Sequence, residues 1–177
     1  MCRLRLNTRG SQRGVTGPVI VLMCGAAGSG KTTYAQGLES AEYVRLSIDE
    51  EIWARFGRYG IDYHLDAYAA HSVTAEDELR RRLIELVAEG RDVVVDFSFW
   101  QRSSRDRYKQ LIEQAGGRWR LIHLRATPDV LRRRLAERSR RFDANAAFLI
   151  DEATLTRYLN SFETPHGEGE EVVTVTG

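Results

Sequence analysis

The run Gly25-Ala26-Ala27-Gly28-Ser29-Gly30-Lys31-Thr32 carries almost no side-chain bulk until a lysine and a threonine close it. Its spacing is G-x-x-x-x-G-K-[ST], the pattern of a phosphate-binding loop. Glycines let the backbone bend around an anion so that several N–H groups point inward. A helix starting at about Gly30 adds the partial positive charge of its N-terminus. Lys31 then reaches the β- and γ-phosphates of ATP, Thr32 offers a hydroxyl to Mg²⁺, and Thr33 extends the motif. A plain glycine-rich turn between strand and helix leaves the lysine and threonine unexplained.

Two carboxylates stand where chemistry on that phosphate would need them. Asp49, in "VRLSIDEEIW", follows an apolar strand. It either takes a proton from an acceptor hydroxyl attacking the γ-phosphorus or caps a short helix, Glu50–Phe56. Glu50 and Glu51 are expected on a solvated face. Asp96, in "RDVVVDFSFW", ends three valines. That is the Walker B pattern, whose carboxylate holds Mg²⁺, with a turn residue as the plainer alternative.

A third feature is "LRRRLAERSRR", residues 131–141, with six arginines and the single acid Glu137. Arg134, Arg138 and Arg141 are spaced to share a helical face. Arginine forks suit phosphate oxygens, so the run reads as a lid closing on ATP, against the plainer reading of a solvated face. Trp53, Phe56, Tyr59, Tyr63 and Tyr68 follow Asp49, and Phe97, Phe99 and Trp100 follow Asp96. They can stack on a substrate ring, but packing between helices explains most of them. Arg102, Arg105 and Arg107 are candidates for an acidic group on the acceptor. The histidines at 64, 71, 123 and 166 have no metal-ligand spacing.

These residues need a scaffold. Strands are expected near Val19–Cys24, Tyr43–Ser47, Asp92–Asp96, Trp119–Leu124 and Glu171–Thr176, several as continuous apolar runs. Such runs suit strands covered on both faces. Helix starts are marked by Thr74 with Asp77, Ser103 with Asp106, Thr127-Pro128 and Asp151, and stops by Gly90 and Gly116. Strand–helix alternation gives an α/β fold: a five-stranded parallel sheet with helices on both faces. In such sheets ligands sit beyond the carboxyl ends of the strands.

A length of 177 residues, 42% hydrophobic and 29% charged, fits one globular domain. Residues 18–177 are expected to form it, after a flexible arm over 1–17. A net charge of +1 calls for no polyanionic partner. Lysine occurs only at Lys31 and Lys109, which sets the loop lysine apart. Cys2 and Cys24 make no disulfide framework, and Cys24 reads as a small core residue. No stretch has the length of a signal peptide or membrane span, so a cytoplasmic protein is expected.

The motifs "GAAGSGKTT", "LSIDEEIW", "VVVDFSFWQRSSRDRY", "LRRRLAERSRR" and "FETPHGEGEEV", in this order, resemble the small P-loop kinases. That group includes the 5′-kinase domain of polynucleotide kinases, chloramphenicol phosphotransferase, gluconate kinase and zeta toxins. The resemblance implies that Asp49 is the general base and that the arginine run is the lid, with Arg138 foremost on phosphate. It also implies that Thr164 and Pro165 lie near the adenine. "D-F-S-F-W" departs from the small polar residues usual after this strand in polynucleotide kinases and suggests a more apolar pocket.

The leading expectation is an ATP-dependent phosphotransferase acting on a hydroxyl of a small-molecule acceptor. A 5′-hydroxyl polynucleotide kinase is the alternative, and it needs a basic groove along the strand. A slow ATPase or nucleotide-gated binding module, with no acceptor, is the third.

Overall fold

The computed structural model describes residues 17–141, 143–146 and 150–176. Of the expected N-terminal arm only Gly17 is among them; Cys2 and residues 1–16 lie outside. Five strands are described: β1 Val19–Cys24, β2 Val44–Ser47, β3 Val93–Asp96, β4 Arg118–Ala126 and β5 Glu170–Val175. They make one sheet in the order β2-β3-β1-β4-β5, and every pairing is parallel. All carboxyl ends therefore lie along one edge. The chain leaves the central β1 toward β2, then crosses back over it from β3 to β4. The end of β1 is thus the switch point where ligands bind in open α/β sheets.

The helices are α1 Lys31–Glu39, α2 Ile48–Phe56, α3 Leu65–Ala88, α4 Arg102–Gln114, α5 Pro128–Arg138 and α6 Glu152–Ser161. Successive residues of β1 feed opposite faces, as strand geometry requires. Ile20, Leu22 and Cys24 pack with Leu79, Leu83 and Leu86 of α3 and Tyr108 and Ile112 of α4. Val21 and Met23 pack with Val94, Ile122 and Ala35 of α1 on the other side. Cys24 is a core residue: its thiol donates to the Phe99 carbonyl at 3.3 Å, and burial pushes its pKa up to about 11.

Most punctuation matches the sequence signals. Thr127 Oγ1 accepts from Val130 N and Asp151 Oδ1 from Thr154 N, each capping its helix. Gly90 and Gly116 follow the ends of α3 and α4 with φ of 72° and 87°. Two starts differ. The helix expected from Thr74 begins at Leu65, and the Thr74 hydroxyl donates back to the Ala70 carbonyl at 3.1 Å inside it. Residues 66–73, DAYAAHSV, carry few large apolar side chains, which conceals the earlier turns. The helix expected from Ser103 begins at Arg102, after Gln101.

One buried charge system braces the sheet. Arg105, fully buried on α4, donates Nε and Nη2 to the two Glu168 carboxylate oxygens, each at 2.7 Å. Lys109 Nζ donates to the Glu168 carbonyl at 2.8 Å. The third arm of Arg105, Nη1, donates to the Phe99 carbonyl at 2.9 Å. Phe99 has φ 41°, a left-handed conformation unfavourable for a bulky residue. Arg105 thus holds a strained loop just after Asp96 and has no arm left for a ligand. Removing one partner of such a pair strands the other charge in the core. Glu168→Gln is expected to cost about 3–5 kcal/mol in denaturant unfolding. The Arg105 hydrogen bonds hold the Glu168 pKa below the usual glutamate value. Its stabilisation is complete above the unfolded-state pKa and disappears as pH falls through the folded one, so the variant should lose this acid-limb slope. Equal stability of variant and parent at pH 7 would contradict this account.

Candidate active site

The residues after β1 turn back on themselves at the switch point. Gly25 has φ 153°, and a Cβ there would sit 2.7 Å from the Leu124 carbonyl oxygen. Gly30 takes φ 96° as the residue before α1, with a guanidinium nitrogen of Arg134 3.1 Å from where a Cβ would stand. Ala26 and Ala27 pack against Leu131, Leu135 and Leu155, so α5 and α6 form the loop's outer wall. Lys31 Nζ donates to the carbonyls of Gly25 and Ala26 at 2.9 and 3.0 Å, arching across the loop. The Ser29 hydroxyl is buried with no hydrogen-bond partner. Thr33 is exposed on α1.

Asp49 is not a helix cap. Ser47, the last residue of β2, accepts from Glu50 N and starts α2 at Ile48. Asp49 therefore occupies the first turn, where its side chain is released from capping. Burial raises its pKa; the Arg138 charge, then Lys31, act in the opposite direction, while Asp96 reinforces the rise. The pattern is reciprocal. Burial lowers the pKa of Lys31 against the pull of Asp96 and Asp49. Burial likewise lowers Arg138 against the pull of Asp49. Two acids and two bases from four separate elements thus act on one another through their charges.

Asp96 lies at the end of β3, 6% exposed. Burial raises its pKa, and Lys31, Arg45 and a hydrogen bond from Thr32 counter that rise. The contact brings the Thr32 hydroxyl and a carboxylate together beside the loop. That is a hard-oxygen donor pair of the kind Mg²⁺ takes alongside phosphate oxygens. Among the described residues no group of three or more His, Cys, Asp or Glu could hold a metal. A magnesium ion here would rely on the nucleotide for further ligands.

The arginine run divides its labour. Arg134 Nη1 donates to the Ser29 carbonyl at 3.3 Å, resting on the loop. Arg138 ends α5 with its Nε buried and unpartnered, on the Asp49 side. Arg141 lies beyond the helix and does not share that face; its Nη2 pairs with Asp143 at 2.8 Å. Arg132 pairs with Asp129 and Glu152. Acids outside the run therefore neutralise part of it. The Phe162–Pro165 segment stands one step away from the loop: Glu163 N donates to the Trp100 carbonyl, and Glu163 Oε2 accepts from Arg102 N. Thr164 is exposed there and Pro165 is buried.

Several residues emerge only in three dimensions. Arg45 of β2 donates Nη1 to Asp96 at 3.1 Å, Nε to Glu39 at 3.2 Å, and Nη2 to Glu50. Glu50 is therefore not merely on a solvated face. It also accepts from Asn145 Nδ2 at 3.2 Å, which ties the segment after α5 to α2. An arginine inside a buried strand was the available signal, since such a charge needs partners. Phe56 stacks on His71 at 3.9 Å and Tyr63 meets the same ring edge-on at 4.9 Å, so these aromatics pack α2 on α3. Phe97 and Phe99 are core residues, at 8% and 4% exposure. The phenols of Tyr63 and Tyr68 have pKa values raised by burial, with the Asp49 charge adding to the effect.

A family model described as an AAA domain matches residues 20–165. The chain belongs to that family. No curated protein matches it. Among solved structures, this AAA-domain chain resembles a protein from Chloroflexus aurantiacus j-10-fl, provisionally described as a kinase, with TM-score 0.71 and 22% identity over 92% of this chain and 86% of that one. It resembles a gluconokinase from Sinorhizobium meliloti 1021 with TM-score 0.58 and 22% identity, covering 93% and 86%. It also resembles a chain of the Pnkp1/Rnl/Hen1 RNA repair complex with TM-score 0.62 and 17% identity, covering 88% of this chain and 49% of that one. The AAA-domain fold here is the P-loop kinase fold.

Proposed function

We propose that this chain is an ATP-dependent phosphotransferase that moves the γ-phosphate of ATP to a hydroxyl of a small-molecule acceptor. The observation that carries this is the placement of Asp49: a half-buried carboxyl in the first turn of α2, just past the end of β2 on the same sheet edge as the phosphate loop, with the charges of Arg138 and Lys31 acting on it. A protein that only binds or slowly hydrolyses nucleotide has no need of a carboxylate at that point.

In this reading the amides of Gly25–Thr33 cradle the phosphates, and Lys31 leaves its carbonyl partners for the β- and γ-oxygens. Thr32 and Asp96 would hold Mg²⁺, which when bound would screen the charge of the transferring group. Arg45 fixes the Asp96 carboxylate in place. Arg134 keeps the loop shaped, and Arg138 turns its unpartnered nitrogen to the γ-phosphate as charge develops. Asp49 accepts the acceptor's proton.

Phosphorus NMR of a reaction with Mg·ATP and alcohols tests this. The expected products are ADP and a new phosphate ester in equal amounts. Inorganic phosphate as the sole product, whatever the alcohol, would identify a slow ATPase. The RNA-repair likeness keeps a 5′-hydroxyl polynucleotide substrate as the second reading, and an ester on a 5′-hydroxyl oligonucleotide would favour it.

A further inference from the structure

Arg45 is a fixed charge beside the acid that would take magnesium. It is paired in register with Val94 of β3, which packs with Ala35 of α1. Asp96, two residues on from Val94, shares that face of the sheet. The Arg45 side chain is 7% exposed and that of Asp96 3%. Each nitrogen of the guanidinium takes an acid from a different element. Nη1 donates to Asp96 Oδ2 at 3.1 Å, Nε to Glu39 Oε2 of α1 at 3.2 Å, and Nη2 to Glu50 Oε1 of α2. The same Glu50 oxygen accepts from Asn145 Nδ2 at 3.2 Å, so it is held from two elements.

This arrangement answers an electrostatic problem. A lone arginine–aspartate pair aims a carboxylate well, but its guanidinium then competes with an arriving cation for the same negative charge. Here three carboxylates surround one guanidinium. Glu39 and Glu50, about half exposed, offset its charge, while Asp96 receives a directed hydrogen bond. One Asp96 oxygen is committed to Arg45, and the carboxylate keeps its negative character beside the Thr32 hydroxyl. Groups that hold a metal ligand from behind set its orientation, and losing one costs about 10–100-fold in metal affinity. A lysine would not replace this arginine, because an ammonium is a compact point charge without the planar fork.

We infer that Arg45 is a positioning residue for magnesium, aiming the Asp96 carboxylate, and that Glu39 and Glu50 keep its charge from displacing the ion. This rests on the phosphotransferase reading above and concerns how the same site takes its metal. Glu50, although it follows Asp49 in sequence, then serves the metal side of the site rather than the acceptor. The fork is held by three elements before any nucleotide arrives, so the carboxylate needs no reorganisation when the ion binds.

Calorimetric titration of ATP, once with saturating Mg²⁺ and once in EDTA, tests the inference. The ratio of the two affinities reads the metal's contribution to binding, with no acceptor present. Arg45→Lys keeps the charge and should lower that ratio about tenfold or more, with the EDTA affinity within about twofold of the parent. Glu50→Gln should lower it about threefold, because the guanidinium's charge then falls more fully on Asp96. Glu51→Gln, one residue on and paired with Arg55, should leave it unchanged. Arg45→Gln fixes the sign: the ratio falls if Arg45 aims Asp96 and rises if Arg45 only competes with the ion. Thermal unfolding shows which variants keep the fold, and Arg45→Lys and Glu50→Gln carry the test if Arg45→Gln does not. A rise in Arg45→Gln, or a parental ratio in Arg45→Lys, overturns the inference while the parent's magnesium-dependent uptake of ATP leaves the phosphotransferase reading intact. A parent that takes up no ATP, or takes it up indifferently to magnesium, removes both.

Discussion

Asp49→Asn leaves the affinity for Mg·ATP within about twofold of the parent and lowers phosphoryl transfer by about 10²–10⁴-fold. Asparagine keeps the size of the side chain but cannot accept the acceptor's proton. Because Ser47 caps α2, the substitution removes no helix cap, and the fold should be undisturbed. The pH dependence adds a second readout. Burial raises the Asp49 pKa above the ordinary aspartate value. Only the ionised form is a base, so the parent's rate should fall as pH drops through a titration lying above the usual carboxylate range. The variant's residual rate should lack that limb. Initial rates across pH, with nucleotide affinity measured alongside, check both parts. An unchanged rate in the variant removes Asp49 from the chemistry.

Lys31→Ala is expected to weaken Mg·ATP binding and to lower transfer by about 10²–10³-fold, the usual loss for one donor aimed at developing charge. The two effects share one cause. Its ammonium is partly buried and already arched over the loop, held by the Gly25 and Ala26 carbonyls. Exchanging two carbonyls for phosphate oxygens strengthens each contact, because both partners are then ionised. Measured kcat and KM should both move against the variant. Wild-type values for both would mean that the glycine loop holds something other than a triphosphate.

How much of this was legible in sequence depended on the range of the interaction. Several strands are legible as apolar runs, and β1, β2 and β3 end within a residue of where the pattern places them. The phosphate loop is a local motif, so its glycines and Lys31 could be read directly. The roles of the arginines could not. Arg134 and Arg138 face the site, whereas Arg141 turns away only because α5 stops at Arg138 and Asp143 follows. Arg105 looked like an acceptor contact until Glu168, 63 residues away, was brought against it. The partners of Arg45 are not legible locally, because its three acids come from α1, α2 and β3. The aromatic residues after Asp96 were ambiguous for another reason. A strained turn at Phe99 sends two of them into the core and leaves Trp100 exposed.

The central claim is that amides, one ammonium and a magnesium ion grip a triphosphate tail opposite a proton-accepting carboxyl. Calorimetric titration of Mg·ATP into the purified chain tests that grip most directly. Saturable uptake at one site per chain, weakened in Lys31→Ala and retained in Asp49→Asn, is the predicted result. No heat of binding from the parent chain, with the protein folded, would contradict it.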